Sequence, residues 1–353
     1  MKSPNFFKEI ERESVWGKSE TPIWMASSFL FQRNLLSAPF PNKMTRAESK
    51  QTLDSLKKSL LNSSYNERLQ FFSHNEINAL EQEFILEHFL TSANGHHPEC
   101  EGGVVIDQGG DFLAMINGED HLVLQTLQPH AKWNEGWKKL CDVEKQLSKK
   151  HPFAYTPQFG YLTSHLSNAG TALTAQVFLH LPALIQLDQL SEVLMKELGE
   201  EVMANGLTGT QEFVGDIVIL QNRFTLGLTE DHILETLHKT ATTLMTYEKK
   251  LRTVLIETRD ALIVDKISRA IGLLKHSYQI ETKEALDALS FIKLGIDLKW
   301  ITGLSDHDLN RLFFTIRRAH LSLYYGEEIS KEMLAQKRAE YLQSVLKPIE
   351  IKR

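Results

Sequence analysis

The stretch "GGVVIDQGGDFLAMINGEDHLVLQTL", Gly102 to Leu127, decides the fold class of this chain. Short β-branched and apolar runs alternate there with glycine pairs and Asn-Gly, which predicts an antiparallel meander. Asn-Gly between alternating apolar residues is the strongest short-range signal for a β-hairpin. Glu119, Asp120 and His121 follow this turn. By itself this cluster is interpreted as the polar tip of a hairpin, because turn residues are polar in most proteins.

The composition indicates a soluble globular protein. A chain of 353 residues is long enough for two domains, and its 42% hydrophobic and 24% charged residues are ordinary for that class. The formal net charge of -6 argues against a whole-protein attraction to nucleic acid or anionic lipid. Cys100 and Cys141 imply no disulfide framework. Because neither a signal peptide nor a membrane span is evident, we expect a cytoplasmic location.

Helices and strands alternate up to Thr229, after which the chain is almost purely helical. The periodicity predicts helices over about 45–73, 76–92, 131–149 and 187–204, with strands between them. Thr229 is the predicted N-cap of a long helix, and Ser305 to Asp308 is a capping-box pattern. This change predicts an N-terminal segment 1–22, a mixed domain 23–256 and a helical domain 257–353.

Several local patterns carry little functional information. His96, His97 and Cys100 lie in "NGHHPEC", but a metal site needs more convergent ligands, so a solvated loop is favoured and no metal is predicted. The glycine-rich "GGVVIDQGG" and "SNAGTAL" match neither a Walker loop nor a Rossmann fingerprint.

Five segments in fixed order resemble the ATP:guanido phosphotransferases, and most closely the bacterial protein-arginine kinases. They are "WMASSFLFQRNLLSAPFP" (24–41), "MINGEDHLVLQ" (115–125), "FGYLTSHLSNAGTALTAQVFLHLP" (159–182), "GLTGTQEFVGDIVILQNRFTLGLTE" (206–230) and a helical segment (265–301). The resemblance implies an α+β fold, with an antiparallel sheet flanked by helices and then an all-helical domain for dimerisation or regulation. It also implies a reaction in which the γ-phosphoryl of MgATP moves to an arginine side chain of a protein.

The two glutamates that hold the guanidinium in this family fall on Glu119 and Glu212. A planar guanidinium presents forked N–H donors, which suit bidentate hydrogen bonds to a carboxylate. One glutamate of such a pair can also accept the departing proton as general base. Asp120 and His121 belong to the same motif as Glu119. The alternative, in which Glu119 and Glu212 are only a retained strand end and turn, carries equal weight.

The family's phosphate-binding arginines are replaced by neutral residues. The matching positions carry Ser28, Leu30, Val123, Thr174 and Ala204. His165 stands where the family has a cysteine, and Phe89 where a histidine near the adenine is expected. Arg33 and Arg223 match family arginines that are not the main phosphate clamps.

The size of this loss decides the expected activity. Phosphoryl transfer depends mainly on positioning and charge neutralisation, and one transition-state arginine is worth about 10³–10⁵ in rate. Loss of several charged donors removes on the order of 5–10 kcal/mol. MgATP is the cofactor of the family, and we expect its binding to be weak or lost in this chain.

A second departure lies near the C-terminus. The protein-arginine kinases carry an Arg-Asp-x-x-Arg-Ala motif that binds phosphoarginine as an allosteric ligand, and "LAQKRA", Leu334 to Ala339, is the matching stretch. Arg338 and Ala339 match, whereas Leu334 and Ala335 replace the Arg-Asp pair. An ordinary amphipathic helix is favoured, with Arg338 as a remnant of the sensor.

These observations leave three hypotheses. The first is a pseudokinase that acts as a homodimeric scaffold or regulator in protein quality control. By resemblance, its partners are arginine-containing proteins, a zinc-binding activator protein and a Clp-type unfoldase, with no nucleic acid and no membrane. The second is an active protein-arginine kinase in which Arg33, Lys43 or Arg223 grips the phosphates; three or more basic side chains near both glutamates would favour it. The third is a dimerising structural protein with an inert cleft.

Overall fold

A computed structural model describes residues 6–13, 15–18, 21–63, 68–90 and 100–352. Its strands are β1 (Trp24–Arg33), β2 (Leu69–Ser73), β3 (Gly103–Asp107), β4 (Phe112–Ile116), β5 (Leu122–Pro129), β6 (Tyr155–Thr156), β7 (Gly160–Tyr161), β8 (Leu173–His180), β9 (Val202–Asn205), β10 (Ile217–Asn222), β11 (Ile301–Thr302) and β12 (Glu350–Ile351). One eight-stranded sheet has the order β2-β3-β4-β5-β1-β8-β10-β9. Every neighbouring pair in it is antiparallel, which confirms the predicted fold class.

The helices are α1 (Phe6–Arg12), α2 (Arg46–Leu61), α3 (Ala79–Glu87), α4 (Trp133–Ser148), α5 (Pro182–Gln186), α6 (Leu190–Glu197), α7 (Glu230–Thr258), α8 (Ala261–His276), α9 (Thr282–Asp297), α10 (Asp306–Thr315), α11 (Arg318–Tyr325) and α12 (Lys331–Val345). The two predicted N-caps are confirmed, because the side chain of Thr229 accepts from the backbone N–H of His232 and that of Ser305 accepts from Asp308. None of the helices among the described residues combines the length and the apolar character that crossing a membrane requires.

The predicted meander is β3, β4 and β5. Ile116 pairs with Leu122, and the backbone N–H of Asn117 donates to the carbonyl of His121 at 3.0 Å, so residues 117–121 form the hairpin loop. Asn117 has a φ of 55°, a left-handed conformation that asparagine tolerates better than most residues. The Asn-Gly signal therefore predicts the hairpin correctly and places Glu119 and Asp120 at its tip.

Two predicted helices give way to strands before their predicted ends. The helix predicted over 45–73 stops at Leu61, and residues 69–73 form the edge strand β2 instead. The helix predicted over 187–204 is reduced to α6, and residues 202–205 form the edge strand β9. Both strands are short apolar runs whose local periodicity does not distinguish helix from strand. Pairing with β3 and with β10 decides their structure.

Side chains of β1 alternate between the two faces of the sheet, as a strand requires. Phe29 and Phe31 belong to the hydrophobic cluster that α4 and α7 complete. Ser28, Leu30 and Gln32 lie on the opposite face. A second hydrophobic cluster, which includes residues of α1, α3 and α8 to α12, covers part of that opposite face. The uncovered part forms the cleft described next.

Candidate active-site cleft

A cleft of about 550 Å³ lies over the centre of the sheet. Its lining residues come from β1, β4, β5, β8, β10, the end of α3 and three loops. They are Ser28, Leu30, Gln32, Leu86, Phe89, Met115, Glu119, Asp120, Val123, Gln125, Asn168, Thr174, Gln176, Leu207, Thr208, Gly209 and Gln221. This volume is within the usual range of ligand sites.

Four of the five positions with a replaced family arginine meet in this cleft. Ser28, Leu30, Val123 and Thr174 all line it. The register explains their proximity, because Leu30 lies opposite Thr174 in β8 and Val123 lies opposite Gln32 in β1. Ala204 is in a different environment: it is buried in the hydrophobic cluster on the α4 and α7 side of the sheet. The structure therefore brings four of these positions together and leaves Ala204 outside the cleft.

Four glutamines share the cleft floor with these positions, and the sequence interpretation missed them. Gln125 donates through Nε2 to Oγ of Ser28 and to the carbonyl of Phe89, both at 2.8 Å. Gln176 donates to Oε1 of Gln221 at 2.7 Å. Gln32 donates to Oδ2 of Asp120 at 2.9 Å. The signal that could have found them is the strand period of two, which places Gln32, Gln125 and Gln176 two residues from replaced arginines.

The formal charge of the described cleft lining is negative. Glu119 and Asp120 are its two carboxylates, and lysine and arginine are absent from the described lining residues. Asp120 is fully buried; Oδ1 accepts from Asn34 Nδ2 at 2.6 Å and from the backbone N–H of Ser164 at 2.7 Å. These bonds join the hairpin tip to β1 and to the loop at Ser164.

Glu119 contacts the residue that replaces the family cysteine. Its Oε2 lies 2.9 Å from Nε2 of His165. Its backbone carbonyl accepts from Oγ of Ser164 at 2.6 Å, so the two loops hold the carboxylate at the cleft wall. A guanidinium that binds Glu119 would have to share this carboxylate with His165 or displace it.

Glu212 is not among the residues that line the cleft. It is exposed and forms an ion pair with Lys283 of α9. Residues 207–209 of the same loop do line the cleft, so Glu212 lies three residues beyond the lining part of this loop. Both family glutamates thus have an intramolecular partner, and those partners come from different parts of the chain.

His121 has a structural environment. It is fully buried, with Nδ1 at 2.8 Å from Oδ1 of Asn34, and burial lowers the pKa of its imidazole to about 4. The ring is therefore neutral near pH 7. Phe89 has a φ of 59°, and its ring packs edge-on against Trp16 and Phe178 at 5.8 and 5.1 Å.

The arginines considered as substitutes lie elsewhere. Arg33 is buried and pairs with Glu144 at 2.9 Å, with its guanidinium 3.6 Å from the ring centre of Tyr161. Arg223 and Lys43 are exposed and do not line the cleft. Within the described part of the chain, the basic groups that touch the two glutamates are His165 and Lys283, one for each glutamate. The three or more basic side chains near both glutamates that would favour an active kinase are not found among these residues.

Arg338 is also buried. It donates through Nε to the carbonyl of Ile316 at 2.8 Å and through Nη1 to that of Ile280 at 2.7 Å. Burial lowers the pKa of its guanidinium. These contacts join α12, which carries Arg338, to the segments that precede α9 and α11. Arg338 therefore has a structural role.

The described residues contain no group of three or more potential metal ligands. Cys100 donates to the carbonyl of Pro41 at 3.1 Å, and His96 and His97 lie outside the described residues. A triphosphate requires cationic donors around its oxygens, and the described cleft lining offers carboxylates and amides instead. These residues do not fit the phosphates of the family cofactor.

A family model and solved structures show which class of protein has this fold. Residues 51–251 match the family model of the ATP:guanido phosphotransferase C-terminal catalytic domain. A lombricine kinase structure superposes with a TM-score of 0.57 at 19% identity, covering 69% of this chain and 71% of that one. The duplicated taurocyamine kinase from Schistosoma mansoni gives 0.54 at 22% identity, covering 67% of this chain and 33% of that one. The fold is that of the guanido kinases.

The particular family follows from the C-terminal part and from curated relatives. Residues 260–353 match the protein-arginine kinase McsB C-terminal domain. A protein-arginine kinase from Chlamydia pneumoniae is 35% identical over 96% of this chain and 95% of its own length. Another, from Halothermothrix orenii, is 31% identical over 93% of this chain and 94% of its own length. The chain belongs to the protein-arginine kinase family.

Proposed function

We propose that this protein is a pseudokinase of its family: it binds arginine side chains of other proteins and does not transfer phosphoryl groups to them. The observation that carries the proposal is the charge of the cleft. Glu119 and Asp120 line it, whereas four family arginine positions in it are Ser28, Leu30, Val123 and Thr174. Cationic ligands are attracted to such a cleft and anionic ones are repelled.

The energetics support arginine binding without phosphoryl transfer. An arginine that binds a phosphate oxygen contributes roughly 1.5–3 kcal/mol, and the transition state adds charge that the same groups must neutralise. Leu30 and Val123 supply no hydrogen-bond donor, and the floor glutamines are already paired with Ser28, Asp120 or one another. The free energy that arginines give to phosphate binding in active relatives therefore has no source in the described cleft.

Guanidinium binding needs a different set of groups. A guanidinium needs acceptors in a plane, and Glu119 supplies a carboxylate at the cleft wall. Glu212 can join it if the loop of residues 206–212 moves inward and its ion pair with Lys283 opens. Because Glu119 contacts His165, a bound guanidinium would replace the imidazole as the partner of this carboxylate and leave no bare carboxylate.

The biological role follows from this binding mode. A protein that holds arginine-bearing chains without modifying them acts as a scaffold or regulator, and we place it in protein quality control in the cytoplasm. Its partners would be arginine-containing proteins, a zinc-binding activator protein and a Clp-type unfoldase, with the C-terminal helices forming a homodimer. This part of the proposal rests on membership of the family.

The second candidate function is an active protein-arginine kinase with a rearranged nucleotide site. Identity of 35% to a curated protein-arginine kinase along almost the whole chain favours it. The loop that carries Glu212 would then have to close over the cleft and bring basic side chains with it.

Calorimetry separates these candidates. MgATP and MgADP are titrated into the protein, and arginine phosphorylation of an unfolded, arginine-rich protein is measured by mass spectrometry. We expect no nucleotide heat and no phosphoarginine. N-acetylarginine methylamide should bind, and Glu119→Gln should weaken it by about tenfold. Glu257→Gln, on the exposed side of α7, is the matched control. Micromolar MgATP binding with phosphoarginine formation establishes the kinase instead.

A further inference from the structure

Six apolar side chains line the cleft, three of them on the strands of its floor, and together they are called the apolar wall. This apolar wall consists of Leu30, Leu86, Phe89, Met115, Val123 and Leu207. Its members come from β1, the end of α3, β4, β5 and the loop that precedes Glu212. Val123 and Met115 are direct partners across β4 and β5, and Leu30 is the diagonal neighbour of Val123.

Core packing explains four members of the wall, because Met115 belongs to the second hydrophobic cluster and Phe89, Val123 and Leu207 pack against it. It does not explain Leu30 and Leu86. Leu30 is 9% exposed, yet it belongs to neither hydrophobic cluster of the described residues. Leu86 is 39% exposed and also belongs to neither. A polar side chain at Leu30 would meet partners at once, since Gln125 and Thr174 lie directly opposite it. Apolar surface inside a concave site is typical of ligand contact.

We propose that the apolar wall binds a large aliphatic or aromatic side chain from the same polypeptide as the bound arginine. The cleft then recognises an arginine together with an apolar neighbour, and the space that holds the nucleotide phosphates in active relatives holds that neighbour. This inference rests on the proposed function, because it presumes that Glu119 holds the arginine.

Charge and geometry favour a polypeptide as the occupant. The carboxylates of Glu119 and Asp120 attract a basic residue, and Val123 lies three residues beyond Asp120 at the start of β5. In an extended chain, side chains i and i+2 point to the same side, about 6–7 Å apart. An arginine at Glu119 therefore places its second neighbour over the apolar wall. Gln176 and Gln221 are partly exposed on the floor and can hydrogen-bond the peptide backbone between them.

The experiment compares capped peptides by calorimetry. The sequence Ser-Leu-Ser-Arg-Ser-Leu-Ser is compared with Ser-Ser-Ser-Arg-Ser-Ser-Ser, and each is also made with citrulline, the neutral analogue, in place of arginine. Two near-isosteric variants remove apolar surface from the wall, Leu30→Asn and Val123→Thr. Val254→Thr makes the same chemical change on the exposed side of α7 and is the matched control. Adenosine is titrated separately, because an aromatic base is the other occupant that an apolar wall accepts.

We expect the leucine-flanked peptide to bind about tenfold more tightly than the serine-flanked peptide. Leu30→Asn and Val123→Thr should reduce that preference, Val254→Thr should retain it, and citrulline should abolish binding of both peptides. Val123 is partly exposed, so its variant carries the test if Leu30→Asn fails to fold.

Three outcomes would overturn the inference. Equal affinity for the two arginine peptides, with binding still dependent on Glu119, removes the wall's role and leaves arginine recognition intact. If adenosine binds and Val123→Thr weakens its binding, the apolar wall is a site for a nucleotide base. Absence of arginine-dependent binding by either peptide removes this inference and the proposed arginine recognition together.

Discussion

Leu30 of β1 lies directly opposite Thr174 of β8, and both side chains line the cleft. Directly opposite residues on one face of an antiparallel pair have Cβ atoms about 4.5–5.5 Å apart. The resemblance to the family implies phosphate-binding arginines at both positions, so two cations would lie side by side there. This chain has one aliphatic and one hydroxyl side chain in their place, and Val123 is the diagonal neighbour of Leu30 on the other side.

The first prediction restores these cations. The triple variant Leu30→Arg, Val123→Arg and Thr174→Arg should bind MgADP at least about tenfold more tightly than the native protein, because charged hydrogen bonds contribute roughly 1.5–3 kcal/mol each. Calorimetry in low and high salt measures the effect, which should weaken with salt. Val254→Arg on the surface of α7 controls for added charge. No gain in affinity would mean that these positions do not face the nucleotide.

The second prediction concerns the ion pair between Glu212 and Lys283. Lys283→Met keeps most of the aliphatic stem and removes the charge, which frees the Glu212 carboxylate for a guanidinium. Affinity for an arginine peptide should rise roughly twofold to fivefold. Thermal stability should barely change, because both side chains are exposed. Lys347→Met is the matched control. Unchanged arginine affinity in Lys283→Met would exclude Glu212 from the site.

The sequence predicted the centre of the sheet better than its edges. The meander from Gly102 to Leu127 and its Asn-Gly hairpin are correct because adjacent strands with short turns are specified locally. The edge strands β2 and β9 were predicted as helix, since distant pairing decides short apolar runs. Helix starts were predicted well at Thr229 and Ser305, where a side chain caps the first turn.

In the candidate site, too, residues close together in the sequence were predicted better than contacts between distant residues. The motif containing Glu119 and Val123 was located because its residues are contiguous. The ion pair of Glu212 with Lys283 and the contact of Glu119 with His165 join residues distant in sequence, and no local pattern specifies them. Arg33 was considered as a phosphate ligand from its motif, yet it lies against Glu144 and Tyr161 because its strand position faces away from the cleft.

The third prediction is a pH dependence at Asp216, which accepts from Ser290 of α9 and from Gln186 at 3.1 Å. Burial, with smaller contributions from Asp287 and Glu248, raises the pKa of its carboxyl to about 7. The folded state therefore holds a proton that the unfolded state releases near pH 4. The resulting stabilisation is present at low pH and is lost as pH rises from about 4 to 7.

Urea unfolding at pH 5 and pH 8 measures this effect. The native protein should lose roughly 2–3 kcal/mol more between these pH values than Asp216→Asn does. Asp54→Asn, an exposed aspartate on α2, should behave like the native protein. If Asp216→Asn shows the same pH profile as the native protein, Asp216 is ionised when folded and the protonated interpretation is wrong.

The fourth prediction distinguishes a structural Arg338 from a phosphoarginine sensor. Arg338 supplies the buried donors for the carbonyls of Ile280 and Ile316, so Arg338→Met leaves two buried acceptors without that partner. We expect a loss of about 2–5 kcal/mol in the free energy of unfolding, measured by urea denaturation. Lys337→Met, whose side chain pairs with Glu340 at the surface, should have little effect.

The native protein should give no calorimetric heat with phosphoarginine, because Leu334 and Ala335 replace the motif's Arg-Asp pair and the guanidinium of Arg338 donates to backbone carbonyls. Phosphoarginine binding that Arg338→Met abolishes, with the fold intact, would show instead that the sensor survives.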